Sequence, residues 1–159
     1  MKITILFVAV LAVNGCTYPA RLVREDGLVK IYSIDPVLPH GSGRTDLQFK
    51  GVTYQDLRSG NYLIVSELNA ILFTTGSNDG ANKTTIHVVP IDGREGVSIA
   101  VPISSFGVHL RKDSVGLSYT CIEHVEGRKI TFASKAGIDP VPIHYVLDID
   151  KKTLSKSEH

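Results

Sequence analysis

Tryptophan is absent from this chain, methionine occurs once, cysteine twice, and aromatic residues make up only 7% of it. Few rings mean few stacking platforms of the kind that hold single-stranded nucleic acid. A surplus of either charge is missing as well: 17 Lys and Arg stand against 16 Asp and Glu, and removal of an N-terminal leader containing Lys2 leaves 16 against 16. Without a basic excess nothing draws the surface onto a polyanion, and nucleic acid is set aside as a partner. Long apolar stretches are equally scarce. The one sustained run, Ile3 to Val13, has 11 residues, whereas a helix crossing the hydrocarbon core needs about 20. Two cysteines, finally, cannot build the disulfide framework on which small exported domains often rely.

What is present is an ordinary globular composition of 159 residues, 43% apolar and 21% charged. That is enough for one domain with a hydrophobic core and too little for two. Ahead of it, Met1-Lys2, the apolar run and the small residues after it form the pattern of a secretory signal.

Directly behind the run stands Val13-Asn14-Gly15-Cys16, which resembles the lipobox of bacterial lipoproteins, with Val13 where that family prefers Leu. The resemblance covers these four residues and the leader. It implies that Cys16 becomes the mature N-terminus, with a diacylglyceryl group on its sulfur and an acyl chain on its new amine. Two or three chains hold a protein on a bilayer where one binds only marginally. Thr17 rather than Asp follows the Cys, which by the sorting rule of enterobacterial lipoproteins implies the outer membrane. Cleavage after Gly15 by the ordinary signal peptidase is the competing reading, because Val13 and Gly15 also satisfy the small-residue rule. It would leave a soluble secreted protein; an uncleaved leader is the third reading. The expected organisation is a signal peptide over 1–15, a lipidated tether over 16–20, a single β-rich domain over 21–150 and a polar tail over 151–159.

Between tether and tail the chain reads as short runs rich in Val, Ile, Thr, Tyr and Phe, punctuated by Gly, Asn, Asp and Pro. Strands are expected over 21–24, 28–34, 46–52, 62–66, 70–75, 84–91, 97–103, 115–122, 129–133 and 143–149. Asp26-Gly27, Asp79-Gly80, Asp92-Gly93 and Glu126-Gly127 supply residues that accept positive φ, and the stretch 35–43, with two prolines and two glycines, reads as a loop. Only Thr53 to Gly60 hints at a helical turn, through a capping-box-like Thr53 and Asp56 and a closing Gly60. The fold class expected is all-β, an antiparallel meander closed as a sandwich or a barrel.

Ile71-Leu72-Phe73, followed by Ile86-His87 and closing in Asp92, recurs as Ile130-Thr131-Phe132, followed by Ile143-His144 and closing in Asp150. The match can be read as two propeller-blade-like repeats or as the ordinary likeness of two β-hairpins. The mature chain has room for about three units of ~40–45 residues and a propeller needs at least four, so a complete monomeric propeller is excluded on length.

Chemistry is sparse. None of the six histidines, His40, His87, His109, His124, His144 and His159, stands at a metal-binding spacing from another. No metal or other cofactor is expected. His87 and His144 occupy matching places in the two repeats and are the metal candidates to examine, against the reading of hydrogen-bonded sheet histidines. Cys121 shares the apolar phase of Val115, Leu117 and Tyr119, which turns it inward as a small hydrophobe. His124, three residues on, points to the other face of an extended strand. Ser118 lacks the second Gly of a nucleophile elbow, and the loop 76–83 lacks the acids of a calcium loop. Asp148 and Asp150 share a strand face about 6.5–7 Å apart. Asn82-Lys83-Thr84 is a glycosylation sequon, relevant only in a eukaryotic host.

With no catalytic residue assigned, the expectation is a non-enzymatic envelope lipoprotein, tethered to the membrane through Cys16. Its β-domain binds an envelope protein or a glycan through the loops 35–45 and 76–83. An envelope hydrolase assembled from His and Asp residues, and a structural subunit joined by edge pairing, are the rivals. The oligomeric state is left open.

Overall fold

The structure, a computed structural model, describes residues 20–34, 43–76, 83–102, 110–113, 119–135, 138 and 141–157. The leader, the segment 13–16 with Cys16, and most of the loops 35–45 and 76–83 lie outside the described residues.

Among the described residues, alternating and β-branched runs produce thirteen strands in three sheets. Sheet 1 joins β1 (Ala20–Asp26), β2 (Val29–Ile34), β3 (Arg44–Phe49) and β4 (Val52–Tyr54). Sheet 2 joins β5 (Leu57–Val65), β6 (Ala70–Gly76), β7 (Lys83–Pro90) and β8 (Val97–Pro102). Sheet 3 joins β9 (Leu110–Arg111), β10 (Tyr119–Glu126), β11 (Lys129–Lys135), β12 (Ile143–Asp148) and β13 (Thr153–Lys156). Every neighbouring pair is antiparallel except β9, which runs parallel on the edge of β10. The all-β class holds, in its sandwich form: the meanders stack face to face and no barrel closes. Among the described residues there is no α-helix, only a 3-10 turn over Ser66–Leu68.

Sheet 2 lies in the middle. One of its faces, with Ile71, Phe73, Leu57 and Tyr62, packs on Val29, Ile31, Leu47 and Phe49 of sheet 1. The other, with Leu63, Leu72, Ile86 and Val88, packs on Ile130, Phe132, Tyr145 and Leu147 of sheet 3. This explains why β6 is buried along six of its seven residues and why it opens on the unbroken apolar run Ala70-Ile71-Leu72-Phe73, whereas β2 alternates from Val29 to Tyr32 and β11 from Lys129 to Phe132. Each fully buried Leu, Ile or Phe contributes about 1.5–3 kcal/mol.

The repeat extends to all three sheets. Gly27, Asn69 and Gly127, at φ 59, 47 and 56, take the left-handed conformation in the turn before the second strand of each meander. Counting from the first residues of these second strands, Val29, Ala70 and Lys129, Ile71 and Phe73 match Ile130 and Phe132, as the sequence suggests, and match Lys30 and Tyr32 in sheet 1. On the opposite face, Ala70 and Leu72 match Val29 and Ile31, and in sheet 3 Lys129 and Thr131. The polar members are those on the two outer faces of the stack. At these matched positions the stack turns polar side chains outward, as capping repeats do, while elsewhere on the outer face of sheet 3 Tyr119, Cys121 and Ala133 form a small buried cluster.

Four expectations change. Thr53 to Gly60 forms no helical turn: Thr53 and Tyr54 pair with β3, Leu57 pairs with β6, and Asp56 at φ 57 is the bend where the chain crosses from sheet 1 to sheet 2. The tail 151–159 contains β13, whose residues pair with Tyr145 to Asp148 because the edge of β12 offers unpaired backbone. The expected strand 115–122 is described from Tyr119 and continues to Glu126. β4 and β9, too short to carry a periodic signal, were not foreseen.

Tight turns gather at one end of the stack, and the long connections 35–43, 77–82 and 136–142 leave from the other. The apolar clusters stop short of the loop end. Between sheets 2 and 3 that end is lined by Thr74, Thr84, Thr120 and Ser134, all buried. Thr120 Oγ1 and Ser134 Oγ lie 3.0 Å apart, whereas the Thr74 and Thr84 hydroxyls have no hydrogen-bond partner among the described residues. An unpaired buried hydroxyl costs stability that an isosteric methyl does not. Thr74→Val and Thr84→Val are therefore expected to leave the urea midpoint unchanged or raise it. Leu72→Ala, 0% exposed at the centre of the stack, is expected to lower stability by about 2–5 kcal/mol.

Candidate functional site

His87 lies opposite Phe73 on β6 and Ser98 on β8. Its ring stacks on Phe73 with centroids 4.8 Å apart and meets Tyr54 edge-on at 5.1 Å. Nε2 is 2.9 Å from Thr75 Oγ1 and Nδ1 is 2.8 Å from Ser98 Oγ, so the neutral ring donates one bond and accepts the other. Burial between sheets 1 and 2 lowers its pKa to about 4. Ser98 is exposed, and a serine beside an imidazole has the reach of a nucleophile and its base. Two features speak against that use. A ring that stays neutral down to about pH 4 is a weak base at neutral pH, and its third partner is a hydroxyl rather than a carboxylate. His87 is a hydrogen-bonded core histidine.

His144 does not share its position. Phe73 pairs with His87, but Phe132 pairs with Tyr145, so the aligned partner of His87 is Tyr145. Side chains alternate along a strand, and this offset of one residue turns His87 toward sheet 1 and His144 onto the outer face of sheet 3. The two rings cannot face each other. His144 Nδ1 instead lies 2.8 Å from Glu123 Oε2. Among the described residues no group of three His, Cys, Asp or Glu side chains is placed to hold a metal; His40, His109 and His159 lie outside them.

A second displacement affects Cys121. The ladder of β10 slips at Glu123, so that Cys121 pairs with Ala133 and His124 with Thr131. The bulge reverses the alternation and puts His124 on the same face as Cys121, contrary to the sequence reading. Cys121 is buried as expected, in a small cluster with Tyr119 and Ala133 on the face turned away from sheet 2. Its Sγ approaches Ala133 O at 3.7 Å. Burial raises the thiol pKa, with the nearby Glu123 charge acting in the same direction, which leaves little thiolate. The carboxylates of Asp148 and Asp150 do not share a strand face either: β12 ends at Asp148, whose Oδ1 accepts the Lys151 N–H at 3.0 Å, and Asp150 pairs with Arg128 in the turn beyond.

The loop end carries the most organised group of charges. Asp46 is buried at 4% exposure. Arg44 Nη2 donates to its Oδ2 at 3.1 Å, Arg44 Nε lies 2.9 Å from Oδ1 off the line of a hydrogen bond, and the Asp56 N–H donates to Oδ1 at 3.0 Å. Asp56 in turn faces Arg58 at 3.6 Å, and its carbonyl accepts the Gly76 N–H at 2.8 Å. The Asp56 and Arg58 side-chain ends fill the space beside Gly76, where a Cβ would fall 1.8 Å from Asp56 Oδ2. Arg44 follows the loop 35–43 and Gly76 precedes 77–82, so this cluster ties together the roots of the two loops singled out from the sequence. The sequence reading missed it, and the signal was local: two Arg-x-Asp or Asp-x-Arg pairs beside those loops.

Two outcomes follow. Folded His87 resists protonation while the unfolded ring titrates at its ordinary 6.5, so stability is full above pH 6.5 and falls as the pH drops toward 4. The loss reaches about 3 kcal/mol; urea titrations at stepped pH measure it, and His87→Gln removes that part of the slope. Arg44→Met leaves the buried Asp46 charge without its cation and is expected to cost about 2–3 kcal/mol in the same assay. No protein-family model, curated protein or solved structure matches this chain.

Proposed function

We propose that this protein is a lipid-anchored component of the bacterial envelope, held at the outer membrane through Cys16, with a non-catalytic β-domain that binds a protein or a glycan. One observation carries the reading: a charged start, an 11-residue apolar run and Val13-Asn14-Gly15-Cys16 precede the first strand by three residues. Such a segment is too short to span a bilayer and ends in a thiol that acyl chains would turn into an anchor.

The binding half of the proposal draws support from the distribution of chemistry. His87 is spent on two hydroxyls, Cys121 is buried, and Asp148 and Asp150 are spent on turns. The cluster of Arg44, Asp46, Asp56 and Arg58 gives the loops 35–45 and 76–83 a rigid base, which is how sheet proteins present recognition loops. Polar side chains at the matched outer positions, Lys30 in sheet 1 and Lys129 and Thr131 in sheet 3, favour a self-contained unit over a subunit completed by further sheets.

Mass spectrometry of the native N-terminus is expected to find Cys16 first, carrying diacylglyceryl and acyl groups. In detergent phase separation the protein should enter the detergent phase, and Cys16→Ala should stay in the aqueous phase or accumulate as precursor. An unmodified N-terminus ends the anchor reading. Affinity capture from cross-linked envelopes should return a partner, and repeated recovery of nothing would sink the binding reading.

A further inference from the structure

β1 begins at the loop end, and only residues 17–19 separate its first residue, Ala20, from Cys16. Fully extended, that stretch spans about 14 Å, whereas the eight residues of β7, paired without interruption on both sides, measure about 25 Å from one end of sheet 2 to the other. An anchor at Cys16 therefore keeps the loop end near the bilayer and lets the turn end stand away from it. The same end carries Ile138 and Val141, which at 90% and 67% exposure are the two most exposed large apolar side chains among the described residues. Both belong to the connection that leaves sheet 3 beyond its last β11–β12 pair, Ser134 with Ile143. That last pair lies at the end of the strands where β1 begins with Ala20.

We infer that Ile138 and Val141 dock on the membrane surface, seating their side chains at the boundary of headgroups and acyl chains while the tight turns face outward. The inference rests on the lipid anchor at Cys16, whose length and exit point select the occupant: a lipid bilayer is what lies within reach of this end. Two aliphatic side chains gain by leaving water for the interface, and with the acyl chains already inserted little further freedom is lost. The domain is then held at two points, which fixes its orientation. Arg44 and Arg58 face the headgroup layer, and the partner class narrows to molecules at the membrane surface.

The test uses the full chain, expressed and processed in a bacterial host, with the buried Cys121 replaced by Ala, or by Ser if that variant does not fold. An environment-sensitive fluorophore is attached at Ile138→Cys, in parallel at Val141→Cys, and at Lys151→Cys on the turn end, and phosphatidylcholine vesicles are added. The labels at 138 and 141 should shift to the blue, lose iodide access several-fold and be quenched by brominated acyl chains; the label at 151 should not change. If at saturating lipid the labels at 138 and 141 remain as open to iodide as that at 151, docking is overturned, whether or not Cys16 carries lipid. An unmodified Cys16 with a blue-shifted 138 label would remove the anchor and leave the docking; a lipidated Cys16 with all labels wet would do the reverse.

Discussion

Burial of both faces of sheet 2 is the constraint on which the rest of the molecule depends. A four-stranded meander is too small to hide its apolar residues alone. Sheet 2 needs a cover on each side, and sheets 1 and 3 supply the covers with opposite phases of alternation. In β2 the buried residues are Val29 and Ile31, and in β11 they are Ile130 and Phe132. Seen from the preceding left-handed turn these are opposite faces of the same repeated unit, and so the stack has two dissimilar ends.

The two ends of the strands differ as much as the two faces of the stack. Toward the turns, packing is apolar and continuous; toward the loops it gives way to threonine and serine hydroxyls on one side of sheet 2 and to Thr75, His87 and Ser98 on the other. Hydroxyls that bond one another hold geometry with little net gain in stability. The cooperative core therefore sits away from the loops, which can change sequence without touching it. The proposed tether would act from the start of β1, at that same end. Stability and contact with the surroundings are thus separated along the strand axis.

Small shifts in pairing decide which groups meet. One residue of register separates His144 from the position that matches His87, which Tyr145 takes, and one bulged residue, Glu123, brings His124 to the face of Cys121. Neither shift alters the hydrophobic content of a strand. Each decides whether an imidazole lies inside the stack or outside it, and hence whether it is a neutral packing group or a surface partner of a carboxylate.

Much of the fold was legible in the residues themselves. Short β-branched runs between Gly, Asn and Asp specify an all-β chain, the apolar phase around Cys121 specifies its burial, and the likeness of 71–92 to 130–150 marks equivalent strands in two of the three meanders. These are local properties, set by the alternation of side chains along a strand and by the φ angles that turns demand. What only tertiary structure decided is everything that needs a partner: β4, β9 and β13 exist because a neighbouring edge offers hydrogen bonds, Asp56 bends because the chain must change sheets, and the Arg44–Asp46 cluster forms where the roots of two loops meet. Register, bulges and sheet order come from contacts between residues far apart in the chain, and no local pattern encodes them.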